Sequence, residues 1–397
     1  MSIKPVLKLG LVFSCLALVS CQGSAPDTVK DVSVKISEPA PSTNMARPSF
    51  ADMVNINAPL GVIEGAYAPL PFETVINSGL SNALEDFASS SESYGVIVWH
   101  KGQIVYEKYP EPYSADLRAE SASMHKSVLA LLVGAAIDDG FIGDVNDNVG
   151  TYIPEWSEDA RGQIQIRDLL EMSSGLKPLS AEGGMASPSI EFMMKGADAR
   201  ETMMNMTLSE TSPGTEFYYQ NVVSQILGHV LENATGTAYQ DYLSERLWKP
   251  INAKNAKVWF NEEAGFPRTY TGLYATPRDW LRLGLLIKDN GKFGGDQIVS
   301  EDYVEAMTAP SRANENYGWQ IWRGEIFEPL RYYNDKQAGF GVKSSEPFAV
   351  DDILYFDGFG GQRVYISRSK DLVIVRTGNV RMDWDESLLP NLVISNL

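Results

Sequence analysis

Strand signals stand near the two ends of this chain and are sparse between them, and that distribution restricts the fold more than any other feature. Near the start, Tyr94-Gly95-Val96-Ile97-Val98-Trp99 and Ile104-Val105-Tyr106 are rich in β-branched and aromatic residues, with a short turn at His100-Lys101-Gly102-Gln103 between them. From Tyr317 onward the signal returns, at Trp319–Trp322, Ile353–Phe356, Arg363–Ile366 and Leu372–Val375. From Met124 to about Trp280 the pattern is mainly helical. Val128 to Ile137 is almost wholly apolar, which predicts a buried helix ended by Gly140; Val222 to Asn233 predicts another, closed by Gly236. Helices are also expected around Phe72–Ser89 and from Glu386 to Ile394. Strands so far apart share one sheet only if the two ends meet. The expected fold class is therefore mixed α/β (α+β): an antiparallel sheet built from N- and C-terminal strands, flanked by helices, with a largely helical middle subdomain at roughly 130–280. The seam between the two parts is where a catalytic cleft is expected.

The N-terminus carries an address. Lys4 and Lys8 precede a mostly apolar stretch, Leu9 to Val19, too short to cross a membrane as a helix. It ends in Leu18-Val19-Ser20-Cys21, which resembles the lipobox of bacterial lipoproteins. The resemblance implies cleavage before Cys21 and lipid on its sulfur and new amino group, enough acyl chains for stable anchoring. Gln22 after the cysteine, rather than Asp, points to the outer membrane, facing the periplasm. The plain alternative is an ordinary signal peptide cut near Ser20. The expected division is thus a signal peptide at 1–20, a flexible tether at 21–58 containing Ser37-Glu38-Pro39-Ala40-Pro41-Ser42-Thr43, and a catalytic domain at 59–397. No internal repeat is present.

Composition excludes several classes of function. The two cysteines are Cys15, in the segment to be removed, and Cys21. The mature domain would then hold neither a thiol nucleophile nor a cysteine-ligated metal. A net charge of −18, falling to −20 once Lys4 and Lys8 are removed, argues against nucleic acid and against anionic membrane surfaces as partners. No Gly-x-Ser-x-Gly elbow occurs, and the histidines are only His100, His125 and His229, which disfavours a Ser-His-Asp triad and a histidine metal site alike. No cofactor and no metal are expected.

Three motifs carry chemistry. Ser123-Met124-His125-Lys126 opens the long apolar helix, so that Ser123 and Lys126 share a face at i and i+3. The helix dipole favours negative charge at Ser123, and apolar surroundings lower the lysine pKa far enough to accept the serine proton. The same spacing occurs at Ser174–Lys177 and Ser367–Lys370, but neither copy opens a buried helix. The plain alternative for Ser123 is a helix-start serine with a snorkelling lysine. The second motif, Tyr219-x-Asn221, precedes the Val222 helix and offers a phenol to relay a proton and an amide to hold a substrate carbonyl. Tyr332-Tyr333-Asn334 also contains the spacing but lies in a polar stretch with no helix after it. The third, Asp357-Gly358-Phe359-Gly360-Gly361-Gln362, lies between two expected strands. Its glycines allow close approach, and a backbone N–H there opposite that of Ser123 would make an oxyanion hole. A half-buried loop tyrosine and a glycine-rich hairpin turn are the plain alternatives for these two.

Together, in this order, the three resemble the serine β-lactamase and penicillin-binding-protein superfamily over about residues 70 to 380. Flanking stretches are similar too: Ile164 to Leu176, Pro213-Gly214, Thr276-Pro277-Arg278-Asp279, and Asp371 to Val375. The resemblance implies a serine hydrolase in which Ser123 forms an acyl-enzyme on an ester or amide, helped by Lys126 and Tyr219. Where that superfamily carries Lys-Thr-Gly or His-Thr-Gly, this chain has Phe356-Asp357-Gly358, with no cation and with an aspartate expected to repel an anionic substrate. That version is closer to the esterase and 6-aminohexanoate-dimer hydrolase branch. On this alignment the oxyanion hole is made by the N–H groups of Ser123 and Phe359. Substrate contacts are expected from Asn221, Gly358, Gly360, Gly361, Gln362 and Trp319, with Tyr317 and Trp322 nearby. A D,D-peptidase or β-lactamase, and a non-catalytic cell-envelope binding lipoprotein, are the alternatives.

Overall fold

The strands expected near the two ends do meet in one sheet. The computed structural model describes residues 59–182, 187–195, 199–261, 266–334 and 341–397, all within the unit Pro41–Leu397. The expected signal peptide, Cys21 and the tether lie outside these residues. Six strands make the main sheet: β1 (Ser93–His100), β2 (Gln103–Lys108), β3 (Trp322–Arg323), β4 (Leu354–Gly358), β5 (Gln362–Ser367) and β6 (Leu372–Gly378). Their order across the sheet is β2-β1-β6-β5-β4-β3, and every pairing is antiparallel. Strand β6 closes the seam, with Leu372 opposite His100 and Thr377 opposite Gly95.

Both faces of this sheet are covered, which is why its strands are apolar without alternation. The principal helices are α1 (Ser78–Ser90), α2 (His125–Asp138), α3 (Asn221–Thr235), α4 (Pro277–Lys288) and α5 (Leu388–Ile394). Helix α4 lies so close that a Cβ on Gly284 would stand 2.6 Å from a Val373 methyl and 2.8 Å from one of Val364. One residue out of phase, Arg363 and Tyr365 point to the other face, where both meet Glu386 just ahead of α5.

The middle is less helical than its pattern predicts. Ala256–Trp259 and Leu273–Ala275 are strands, joined by Leu60–Ile63 and Ala119–Glu120 into a second, four-stranded sheet. Strands of two to four residues are too short to leave a readable period. Boundaries also move. Helix α1 starts at Ser78 rather than Phe72, because the Asn77 side chain caps it by accepting from the Leu80 N–H at 2.9 Å. Trp319 lies outside a strand: Gln320 has φ of 55°, which breaks extended backbone ahead of β3.

Candidate active site

The first motif sits where the second sheet hands the chain to α2. Residues Ala119–Glu120 pair with Leu273–Ala275, Ala122 turns the backbone at φ of 45°, and a 3₁₀ turn, Ala122–Met124, runs into α2. A non-glycine residue in that region carries strain, which the surrounding structure has to hold. Every residue of α2 from His125 to Ala136 is buried. Lys126 therefore enters the core, with 1% exposure.

There its amine has three neighbours: Ser123 Oγ at 2.9 Å, Asn221 Oδ1 at 2.8 Å and the Tyr270 carbonyl at 3.0 Å. Burial pulls its pKa down to about 7, against the opposing pull of the Asp357 and Glu120 carboxylates. The other two Ser-x-x-Lys copies do not bring serine and lysine together. Ser174 Oγ accepts from the Leu176 N–H, Ser367 Oγ donates to Asp352, and Lys177 and Lys370 are exposed.

Tyr219 comes to the same point from the loop ahead of α3. Its hydroxyl interacts with that of Ser123, and the Lys126 amine stands 5.0 Å from its ring centre. Burial pushes its pKa well above 10, and the Asp357 charge adds to this. The family-like stretches brace this loop. Asp168 and Glu171 both bind Arg312, Met172 accepts from the Tyr218 N–H at 2.7 Å, and Ser173 accepts from the Gly214 N–H at 2.7 Å.

The third motif divides in two. A Cβ on Gly358 would lie 2.4 Å from the Ser121 carbonyl, so only glycine lets the end of β4 lie against the turn that carries Ser123. Phe359, Gly360 and Gly361 form a three-residue hairpin loop, since Gly358 pairs with Gln362, and the two glycines have φ of 71° and 91°. Gln362 turns away: its amide donates to the Gly378 carbonyl and accepts from the Gly378 N–H, bracing the bulge in β6. Trp319 is buried and packed edge-on to Tyr303. Asn221 faces the site, but through its oxygen, which Lys126 occupies.

Asp357 is where the expectation fails. It presents no free charge to a substrate. Arg331 and Arg363 each bind it at 2.7 Å, and both also bind Glu386, at 2.7 and 2.6 Å. All four side chains are buried, and their charges cancel. The Tyr333 hydroxyl adds a hydrogen bond to Asp357.

Sequence reasoning passed over the segment that supplies much of this. Residues 331–334 carry three site-building side chains. Arg331 lies over the Trp322 ring at 4.0 Å, Tyr333 packs 5.2 Å from Tyr219, and Asn334 clamps Tyr219 by accepting from its N–H at 2.6 Å and donating to its carbonyl at 2.9 Å. The signal was present as the second Tyr-x-Asn spacing, and the missing helix made it look idle. Tyr270 and Glu120 were missed as well. Glu120 holds the Tyr270 segment through Thr271 Oγ1 and the Gly272 N–H, both at 2.8 Å. His125 fixes it from the other side at Thr271 O, with its second nitrogen on Tyr239, and burial lowers its pKa to about 4. Among the described residues no cluster of metal-ligating side chains occurs, and no helix is long and apolar enough to cross a membrane.

Known proteins share both sequence and fold with this chain. It is 26% identical over 254 residues to the 6-aminohexanoate-dimer hydrolase of Paenarthrobacter ureafaciens, covering 60% of this chain and 64% of that one. It is 23% identical over 317 residues to Beta-lactamase-like protein 2 of Dictyostelium discoideum, covering 74% and 55%. The chain thus spans less than two thirds of the length of either relative. A Bacillus anthracis protein assigned as a 6-aminohexanoate-dimer hydrolase superposes with a TM-score of 0.66 at 18% identity, over 87% of this chain and 92% of that structure. Residues 82–386 match the Beta-lactamase family, and over that span, most of its length, the chain belongs to that family of serine hydrolases.

Proposed function

We propose that this protein cleaves an uncharged ester or amide through an acyl-enzyme on Ser123, with Lys126 as general base and Tyr219 as proton donor. The observation that carries this reading is the Lys126 amine, 2.9 Å from the Ser123 hydroxyl and held at a pKa of about 7. A neutral amine has two N–H groups and one lone pair. Asn221 Oδ1 and the Tyr270 carbonyl accept the two N–H groups, which turns the lone pair to Ser123. Tyr219, its pKa raised, keeps its proton and is poorly suited to remove one. Ser123 Oγ bonds to the carbonyl carbon as its proton passes to Lys126. The N–H groups of Ser123 and Phe359 receive the oxyanion, and Tyr219 protonates the departing oxygen or nitrogen while the Lys126 ammonium gives up its proton to replace the one Tyr219 loses. Water then attacks the acyl-serine by the reverse proton path. The guanidiniums around Asp357 are matched by carboxylates, which favours a neutral substrate over one carrying a carboxylate.

Short-chain p-nitrophenyl esters against nitrocefin test the reading. Ester turnover is expected, with little or none of the β-lactam, and its kcat/KM should rise with pH through a single midpoint near 7 as Lys126 loses its proton. Rapid nitrocefin hydrolysis would count against the neutral-substrate reading, and a limb centred near 10 against Lys126 as base.

Lipid attachment at Cys21, and a position on the outer membrane facing the periplasm, belong to the same proposal and rest on Leu18-Val19-Ser20-Cys21. Cys21→Ala should move the protein from the membrane pellet to the soluble envelope fraction. A variant that still sediments with membranes would remove the lipid anchor from the account.

A further inference from the structure

The hairpin loop beside Ser123 is gripped by two arginines. Arg363 of β5 and Arg376 of β6 are direct cross-strand partners, and both are buried. Like charges placed opposite one another weaken a sheet, so this pair needs a reason. Arg363 is matched by Asp357 and Glu386. Arg376 has no carboxylate within ion-pair distance among the described residues. Its donors end instead on the carbonyls of Ser91, Asn379, Gly360 and Gly361 and on Ser93 Oγ.

What the two hold in common is the Phe359 loop. Arg363 Nη1 donates to the Gly358 carbonyl at 2.6 Å, and Arg376 Nη1 donates to the Gly361 carbonyl at 3.1 Å and, more weakly, to that of Gly360 at 3.4 Å. Trp384 closes the back of the assembly. Its ring lies 5.0 Å from Arg376 and 5.9 Å from Arg363, and a Cβ on Gly361 would strike it at 2.5 Å. In a trans peptide the C=O and N–H point in opposite directions. The Phe359 N–H shares its peptide with the Gly358 carbonyl, so it points away from Arg363. A cationic donor on that carbonyl also polarises the peptide and makes its N–H the stronger donor.

We propose that Arg363 and Arg376 are positioning residues of the oxyanion hole, acting through the Gly358–Phe359 peptide and the loop after it to aim and polarise the Phe359 N–H. This rests on the reading of Ser123 as nucleophile with Phe359 as its oxyanion partner.

Arg376→Met is the first variant to test, since it leaves no carboxylate unpaired. Its kcat on a p-nitrophenyl ester should fall by roughly 10- to 100-fold, short of the 10²- to 10³-fold expected for outright loss of a hole donor. KM should stay within about threefold, because the hole is filled in the transition state and not in the bound ester. An arylboronic acid, which forms a tetrahedral anion on Ser123, should lose affinity by the same factor as kcat. Loss of packing alone would lower the melting temperature without linking those two quantities. Ser93→Ala frees the Arg376 Nε and covers the case in which the methionine variant does not fold; a severalfold fall in both quantities is expected. Folded Arg376→Met or Ser93→Ala protein that keeps kcat and boronate affinity within twofold of the parent overturns the inference. If Ser123→Ala is inactive while these variants are unchanged, only this inference fails. If Ser123→Ala still turns over ester, the reading beneath it fails.

Discussion

Ser123→Ala is expected to lower ester turnover by about 10⁴- to 10⁶-fold, the scale on which removing a serine nucleophile acts in an enzyme that keeps its other groups. The fold should survive. Ser123 caps no helix, and without its Oγ the Lys126 amine still has Asn221 Oδ1 and the Tyr270 carbonyl as partners. The melting temperature should therefore move by only a few degrees, in keeping with a lost hydrogen bond worth about 1 kcal/mol. A fluorophosphonate probe should label the parent on the peptide containing Ser123 and leave the variant unlabelled. Turnover above a hundredth of the parent's in pure variant would end the serine mechanism. A parent protein that resists the probe while holding a stoichiometric partner would favour the non-catalytic binding reading instead.

Asp357→Asn is expected to produce the largest loss of stability. The buried quartet holds two guanidiniums and two carboxylates, and the substitution leaves it with one uncompensated positive charge out of water. Removing one partner of a buried ion pair costs about 3–5 kcal/mol, which for a domain of this size corresponds to a melting temperature lower by about 5–10 °C. The same carboxylate is the stronger of the two that hold the Lys126 pKa up. Without it the ammonium is less favoured, so the alkaline-rising limb of kcat/KM should move to lower pH. The two readouts are independent. An unchanged melting temperature would sink the ion-pair account, and a stationary limb would mean that the Asp357 field does not reach Lys126.

The large features of the fold were legible because they repeat over many residues. Val128 to Ile137 is apolar for long enough to fix a buried helix, and the strands near both ends carry enough β-branched residues to require closure of a common sheet. The Ser-Lys pair was legible for a related reason: of three copies, only that at Ser123 opens such a helix. What was not legible depends on contacts between residues remote in sequence. Asp357 reads as a lone acid in a glycine run, and only the fold brings up Arg331, 26 residues earlier, to neutralise it. Asn334 reaches Tyr219 across 115 positions, with nothing local to mark it. Trp319 falls ahead of β3 rather than in it because the backbone takes a left-handed turn at Gln320, of which the aromatic–glycine–aromatic run carries no sign.

The seam between β1 and β6 also sets when the fold can be completed. Tyr94 donates to Asn379 across 285 positions, so the sheet cannot close until Asn379 has been made. Ser123, Lys126 and Tyr219 emerge from the ribosome long before Phe359 does. In a growing chain the proposed nucleophile is therefore present before its proposed oxyanion hole. Arrival of the last strand is thus the step that completes the proposed site.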